Sequence, residues 1–470
     1  MIYRPRASRA RTPVATPSWV LVCALALAPA VASGDPDPEP PPDDAALEAS
    51  GAVIGTIEVR NLDIFDTSRE DEDRWVFRLA NRLHIETRER TLLALLLFQP
   101  GDRYRRDVLD ESERILREQK YLYDADIRPV RIRDGVVDVV VETRDVWTLK
   151  PTLSFKRAGG ENAYRVGIEE DNLLGFGKSL TARRQKDVDR TTTLLRYRDP
   201  NLLGTHGRME LAYSDNSDGV SKAASIARPF YALDTRWAAG AAALDDDRVQ
   251  TLYSGGDPAE RFRQRREFLE VRSGWSDGVA DGVVHRWTAG YTYDRNRFDD
   301  AVDEDPASTL PEDRTLAYPW AEWQRIRTAF VVTRDLDNVG RTEDLDLGRS
   351  FRVRAGWIDT AFGADRDRLL LQASYRDAAR PGPNQLLLWR LDGTGRFGSP
   401  DGVENGLVGG EIRWDRKNFG RHRFHVRLRG DAADRLDGEL QLLLGGEEGL
   451  RGYPIRYMDG DRRVLLTVEL

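Results

Sequence analysis

From Trp147 to Leu470 the chain is written in short runs in which large apolar residues and charged residues take turns. Residues 285–294 place Trp287, Ala289, Tyr291 and Tyr293 on one face and Arg286, Thr288, Thr292 and Asp294 on the other. Residues 422–429 set Phe424, Val426 and Leu428 against Arg423, His425, Arg427 and Arg429. Residues 411–415 set Ile412 and Trp414 against Glu411, Arg413 and Asp415. A period of two is the period of a strand. A β-sandwich also alternates, but its outer face meets water and has no use for so many tryptophans and tyrosines. Aromatic on one side and charged on the other fits an antiparallel transmembrane β-barrel, with lipid outside and a watery lumen.

No segment approaches the ~18 consecutive apolar residues of a membrane-spanning helix, and the mean hydropathy is −0.56. Residues 1–32 read as an export signal. Arg4, Arg6, Arg9 and Arg11 precede an apolar core at 19–28, and Ala30-Val31-Ala32 offers a small-x-small cleavage pattern. Cys23, the one cysteine, lies inside that core, so the exported chain is expected to hold no disulfide. Losing those four arginines and no acid takes the formal charge from −8 to −12. That balance excludes a general nucleic-acid binder. Residues 33–51, rich in proline and acid, read as a solvated, extended linker.

Residues 52–147 follow a different grammar. The alternating, β-branched run 53–60 predicts a strand. Trp75, Leu79 and Leu83 recur at helical spacing, a further apolar segment covers 92–97, and a helix over 107–120 places Val108, Ile115 and Leu116 on one side. Strands at 123–130 and 136–142, joined at Asp134-Gly135, complete a β-α-α-β-β order. With Phe98-Gln99-Pro100-Gly101-Asp102 and Tyr121-Leu122-Tyr123-Asp124-Ala125, this order resembles a polypeptide-transport-associated (POTRA) domain. A small sheet with an exposed edge can accept an extended peptide as an added strand. The expected edge is Tyr123, Asp124, Ala125, Asp126, Ile127 and Arg128.

Beyond residue 148 there is an internal repeat. Asp171-Asn172-Leu173-Leu174-Gly175 returns as Asp199-Pro200-Asn201-Leu202-Leu203-Gly204, and more loosely as Pro229-Phe230-Tyr231-Ala232-Leu233-Asp234. The spacings, 28 and 30 residues, fit two strands of about ten residues plus two turns. The three turns are therefore expected at one end of the sheet, and the longer acidic segment 298–314 at the extracellular end.

Near the end stands Gly445-Gly446-Glu447-Glu448-Gly449-Leu450-Arg451-Gly452-Tyr453-Pro454, between strand-like runs at 439–444 and 463–470. Its glycines and proline make it a loop, and a guanidinium in a closed polar cavity seeks a carboxylate for a forked pair. This loop, the stretch from Glu170 to Gly177 and the Asp199-Pro200-Asn201 turn resemble the BamA/TamA-type outer-membrane assembly superfamily (bacterial surface antigen). The resemblance runs from the POTRA-like unit to the last residue. It implies an α+β POTRA domain followed by an all-β antiparallel 16-stranded barrel over residues 148–470. It also implies that the loop holding Leu450, Arg451, Gly452 and Tyr453 folds into the lumen, where Arg451 pairs with Glu469. In that superfamily eleven strands precede the loop and several follow it. This sequence shows about fifteen strand-like runs before Arg451, so either some are hairpins standing above the membrane or the run boundaries differ, and it ends at Leu470. The expectation is thus an incomplete barrel whose C-terminal strands are missing, including the one that would pair with 151–157.

The resemblance further implies a protein of the Gram-negative outer membrane, with its POTRA-like domain in the periplasm, that inserts or translocates other polypeptides. It is expected to be no enzyme and to use no cofactor. Expected partners are unfolded or partly folded outer-membrane or exported polypeptides, outer-membrane lipid, and periplasmic chaperones or accessory lipoproteins. One alternative is a two-partner-secretion transporter, which typically carries two POTRA domains and a plug helix. The other is a passive porin or surface receptor. No metal site is expected: His422 and His425 point to opposite faces of one strand, and Asp245-Asp246-Asp247 and the acids at 299–305 read as solvated loops.

Overall fold

The computed structural model describes residues 43–158, 161–301, 309–334, 341–399, 402–418 and 422–470. The export signal and part of the acidic segment 298–314 lie outside these. The linker reading is corrected where it meets them. Asp44–Ser50 is a helix, closed by Gly51 at φ 68°, with Leu47 wholly buried. Alanine, leucine and glutamate outweigh the local acidity there, because they are strong helix formers with a core to pack against.

The segment up to Asp145 is a small α/β unit. Val53–Leu62 runs parallel to the central strand Val136–Asp145, which pairs antiparallel with Leu122–Arg133. The helices Trp75–Leu83, Glu89–Leu93 and Arg106–Arg117 lie between the first two strands in sequence. The core gathers Leu47, Ile54, Leu92, Leu109, Leu116, Ile127 and Val139. The apolar segment at 92–97 stops being helical at Leu93, and Leu95 and Leu96 enter the core from a turn. The stripe at Trp75, Leu79 and Leu83 does form a helix, but it faces outward instead of joining this core.

The rest is one sixteen-stranded sheet whose order follows the chain without a crossover, every neighbour antiparallel. Its first strand is Leu149–Ala158 and its last is Arg462–Glu469. Fifteen strands precede Arg451, and the sixteenth follows it. Among the described residues the loop sits between the fifteenth and sixteenth strands of this order. The first and last strands end the order unpaired with one another among the described residues.

Alternation sorts the two faces as the sequence implies. On the last strand Val464, Leu466 and Val468 are exposed, while Arg463 bonds inward to Asp431 and to the Leu443 carbonyl. Across four neighbouring strands Trp275, Trp287, Trp323 and Phe351 form a chain of ring contacts with centroids 6.3, 6.1 and 6.0 Å apart. Such a belt suits the level of lipid headgroups. The opposite face carries Glu322, Arg352, Arg354, Arg390, Asp392 and Arg429 around a cavity of about 400 Å³.

The sheet must curl. Asp437 bonds to Arg396 on the thirteenth strand, and Gln441 bonds to Tyr253 on the seventh. The same connection also bonds to Arg314 on the tenth strand and to Asp189 in the turn after the third, so the charged face curves around it.

Candidate functional site

Two structures attach at opposite ends of the wall strands. At the end nearer the α/β unit, the three repeated turns found in the sequence are its docking points. Asn172 is fully buried and donates from Nδ2 to Thr87 Oγ1 at 2.8 Å. Thr87 in turn donates to the buried Asp145 carboxylate from both N and Oγ1. Asn201 donates to the Ala94 carbonyl at 3.0 Å, and the Leu233 N–H donates to Glu111 at 2.7 Å. The matching asparagines of the first two repeats and Leu233 of the third thus each reach a different part of the unit. Gly175 shows how close the approach is. Its φ is +77°, and a Cβ there would run into the Glu86 carbonyl. Gly175→Ala is expected to cost about 1–3 kcal/mol through overpacking and left-handed strain. Gly101→Ala, also at positive φ but with open space around it, is expected to cost less; thermal unfolding of the two variants makes the comparison.

A fourth contact comes from a hairpin, Phe330–Arg334 with Thr342–Asp346, inserted between two wall strands. Arg117 Nε and Nη2 donate to Asp344 at 2.6 and 2.8 Å, and both side chains are nearly buried. Arg341 donates to the Leu122 carbonyl at 2.8 Å, and Thr342 donates to Asp124 at 2.9 Å. Arg114 lies 4.3 Å over the Phe330 ring.

At the far end the connection between the last two strands lies against the charged face. Its stem pairs Leu442–Leu444 with Met458–Gly460. Gly445 has no room for a Cβ, because the backbone of Pro454 and Arg456 lies against it. Arg314 pairs with Glu439 and Arg396 with Asp437, all four side chains largely buried. Past the stem, Arg456 forks onto Asp189 at 2.8 and 2.7 Å and lies 4.4 Å over the Tyr253 ring. The Tyr253 hydroxyl donates to the same carboxylate at 2.6 Å. Burial opposes the charge on Asp189, but the Arg456 fork and the Tyr253 hydroxyl outweigh it and hold the carboxyl below its ordinary value of 3.8. A lowered folded value stabilises above the unfolded one and is lost as pH falls through it. Loop docking is therefore expected to be unchanged from pH 8 to 5 and to weaken below about pH 4, read as the pH dependence of conductance in planar bilayers.

The structure brings Arg451 and Glu469 together, Nη2 to Oε1 at 2.5 Å. The setting differs from the closed cavity expected. The Arg451 side chain is 83% exposed and that of Glu469 46%. Glu469 shares the inward face of the last strand with Arg463, Leu465 and Thr467, and a Cβ on Gly449 would touch Leu465. The pair thus faces the watery interior. Leu450 is half-buried, Gly452 has open space around it, and Tyr453 packs on Tyr457 with centroids 5.8 Å apart. The half-buried guanidinium of the loop is Arg456, which the sequence reading missed.

The expected peptide-binding edge is an edge of its sheet, but its outward groups are already taken, and this corrects the view of it as open. The Ala125 carbonyl accepts from Arg117 at 2.9 Å and the Ile127 carbonyl from Arg106 at 3.1 Å. The Ile127 N–H donates to Glu113 at 3.1 Å and the Ala125 N–H to Asp124 at 2.9 Å. Pro129 has no N–H to offer. Tyr123 lies 5.7 Å from the Arg144 guanidinium, Asp124 bonds to the hairpin, and Asp126 and Arg128 pair with each other. Asp245, Asp246 and Asp247 face Lys222, Arg248 and Arg263. Among the described residues no group of three carboxylate, histidine or cysteine side chains gathers as a metal site.

The chain is similar to solved structures of BamA and CdiB. BamA from Haemophilus ducreyi lacking POTRA domains 1–3 matches at 12% identity, over 81% of this chain and 72% of that one, with a TM-score of 0.37. CdiB from Acinetobacter baumannii matches at 12% identity, over 83% and 72%, with a TM-score of 0.38. CdiB from Escherichia coli matches at 10% identity, over 82% and 67%, with a TM-score of 0.40. No protein-family model matches the sequence, and no curated protein does.

Proposed function

We propose that this chain is an outer-membrane barrel that inserts or translocates other polypeptides, with its α/β unit in the periplasm as a POTRA-like domain. The observation that carries the reading is a meander whose first and last strands, Leu149–Ala158 and Arg462–Glu469, do not pair with one another among the described residues. In lipid each unsatisfied backbone group costs several kcal/mol. An incoming strand that pairs with such an edge removes that cost, so the seam templates its client. The Arg451–Glu469 contact brings the loop tip to a seam strand, while Arg456 holds the loop in place. The capped edge at Tyr123–Arg128 receives clients only when Arg106, Glu113 and Arg117 let go of it.

A passive porin has no use for a loop pinned to the charged face by Arg314, Arg396 and Arg456, nor for an α/β unit held to three turns. A secretion transporter shares the barrel and differs in the fate of its client. Cysteine pairs scanned across the two edge strands test the proposal in proteoliposomes. The oxidised, locked protein is expected to lose its ability to speed folding of an unfolded barrel protein into the bilayer, and reduction is expected to restore it. Undiminished assistance from a locked seam sinks the reading, and export of the client into the lumen of the liposome selects the transporter.

A further inference from the structure

The helix Trp75–Leu83 is built the wrong way round for a core helix. Phe77 stacks on Phe65 with centroids 4.2 Å apart, Asn81 exchanges two hydrogen bonds with the Phe65 backbone, and no residue of the helix is fully buried. The side turned outward carries Trp75 at 72%, Val76 at 46%, Leu79 at 42% and Leu83 at 60% exposure. Trp75, Leu79 and Leu83 fall at i, i+4 and i+8 and share a face. Arg74, Arg78 and Arg82 fall at the same spacing one position earlier and are exposed too, Arg78 paired with Asp73. An arginine stripe therefore runs alongside an apolar stripe. That pattern lies in a membrane interface, apolar side among acyl chains and guanidinium groups on anionic headgroups.

The position of the helix fits the same occupant. Immediately after it, Ile85 and Thr87 accept from Asn172 in the first repeated turn, at 3.4 and 2.8 Å. Arg88 donates to the Leu174 carbonyl of that turn, and the Asp171 N–H donates to the Thr148 carbonyl at the start of the first strand, where Leu149, Leu153 and Phe155 are exposed. We infer that Trp75, Leu79 and Leu83, flanked by Arg74, Arg78 and Arg82, dock on anionic lipid headgroups of the leaflet facing the α/β unit, beside the open seam. The inference rests on the membrane-barrel reading above. It makes the α/β unit a membrane-surface element as well as a cap, and it holds lipid next to the edge where a client strand enters.

The test uses the full chain with Cys23→Ser and single cysteines carrying an environment-sensitive fluorophore. The vesicles are phosphatidylethanolamine and phosphatidylglycerol, with or without lipid bearing a headgroup nitroxide. A label at Leu79→Cys is expected to be quenched at least twofold by the nitroxide lipid. One at Glu58→Cys, exposed on the sheet of the same unit, is expected to be unaffected. Combining Arg74→Gln, Arg78→Gln and Arg82→Gln is expected to reduce quenching at 79. A label at Leu466→Cys on the outer wall is the control for insertion. Quenching at 466 without quenching at 79 overturns this inference alone. Shielding of 79 only after an unfolded client is added also overturns it, and marks the face as a protein dock. Absence of quenching at 466 overturns the barrel reading, and this inference with it.

Discussion

Replacing Arg456 with alanine frees the lumen loop, whereas replacing Arg451 leaves it seated. Arg456 and Asp189 are each less than one-fifth exposed and share a two-point contact supported by Tyr253. Removing one partner of a buried pair strands the other charge, at a cost of about 3–5 kcal/mol when burial is complete. Residual exposure brings the expected cost here to about 2–3 kcal/mol. Arg451 is a surface-type pair within the lumen, so its loss is expected to cost less than about 1 kcal/mol. Hydrogen exchange over residues 441–457 separates the two, with fast exchange in Arg456→Ala and near-native protection in Arg451→Ala. Mean bilayer conductance is expected to rise in the first variant only. Combining Arg456→Asp with Asp189→Arg is expected to recover most of the protection, and equal exchange in both single variants contradicts the assignment.

Much of the architecture was legible because strand alternation is a local property. Trp287 and Arg286 declare opposite faces whatever lies across the sheet, and the repeated turns announce their common end by spacing alone. The run count before Arg451 was also readable, since each wall strand is bounded by its own turn. What escaped is set by curvature. Asp189 and Arg456 are 267 residues apart in sequence, and only the wrapping of the wall brings a turn between early strands to the last loop. Arg451 drew attention because glycine and tyrosine flank it, yet burial is decided by the wall opposite. The hairpin Phe330–Arg334 and Thr342–Asp346 alternates as the wall strands do, and nothing local says that it leaves the wall. The helix Trp75–Leu83 illustrates the converse. Its spacing gave the helix but not which side is covered, because that depends on Phe65 and Asn81 holding it by the other face.

Arg117→Ala is expected to detach that hairpin and uncover the capped edge in one step. Arg117 makes four hydrogen bonds to three partners at once: Asp344 through a fork, Glu113, and the Ala125 carbonyl. Its side chain is 8% exposed, and those of Glu113 and Asp344 are 13% and 10%. Alanine leaves two nearly buried carboxylates facing each other and a carbonyl with no donor, an expected loss of about 3–5 kcal/mol at this junction. Arg117→Lys keeps the charge but not the planar fork, so it should fall between the two. Three changes follow if the coupling is as drawn. Exchange rises over 342–346 and over 122–128 together, the α/β unit becomes easier to cleave from the barrel, and a strand-forming peptide binds where none did before. The wall itself should keep its thermal stability, because Arg117 touches the inserted hairpin and not the sixteen-stranded sheet. Loosening of 342–346 alone, with 122–128 still protected, shows that Arg106 and Glu113 suffice to cap the edge and that the hairpin has no hand in closing it.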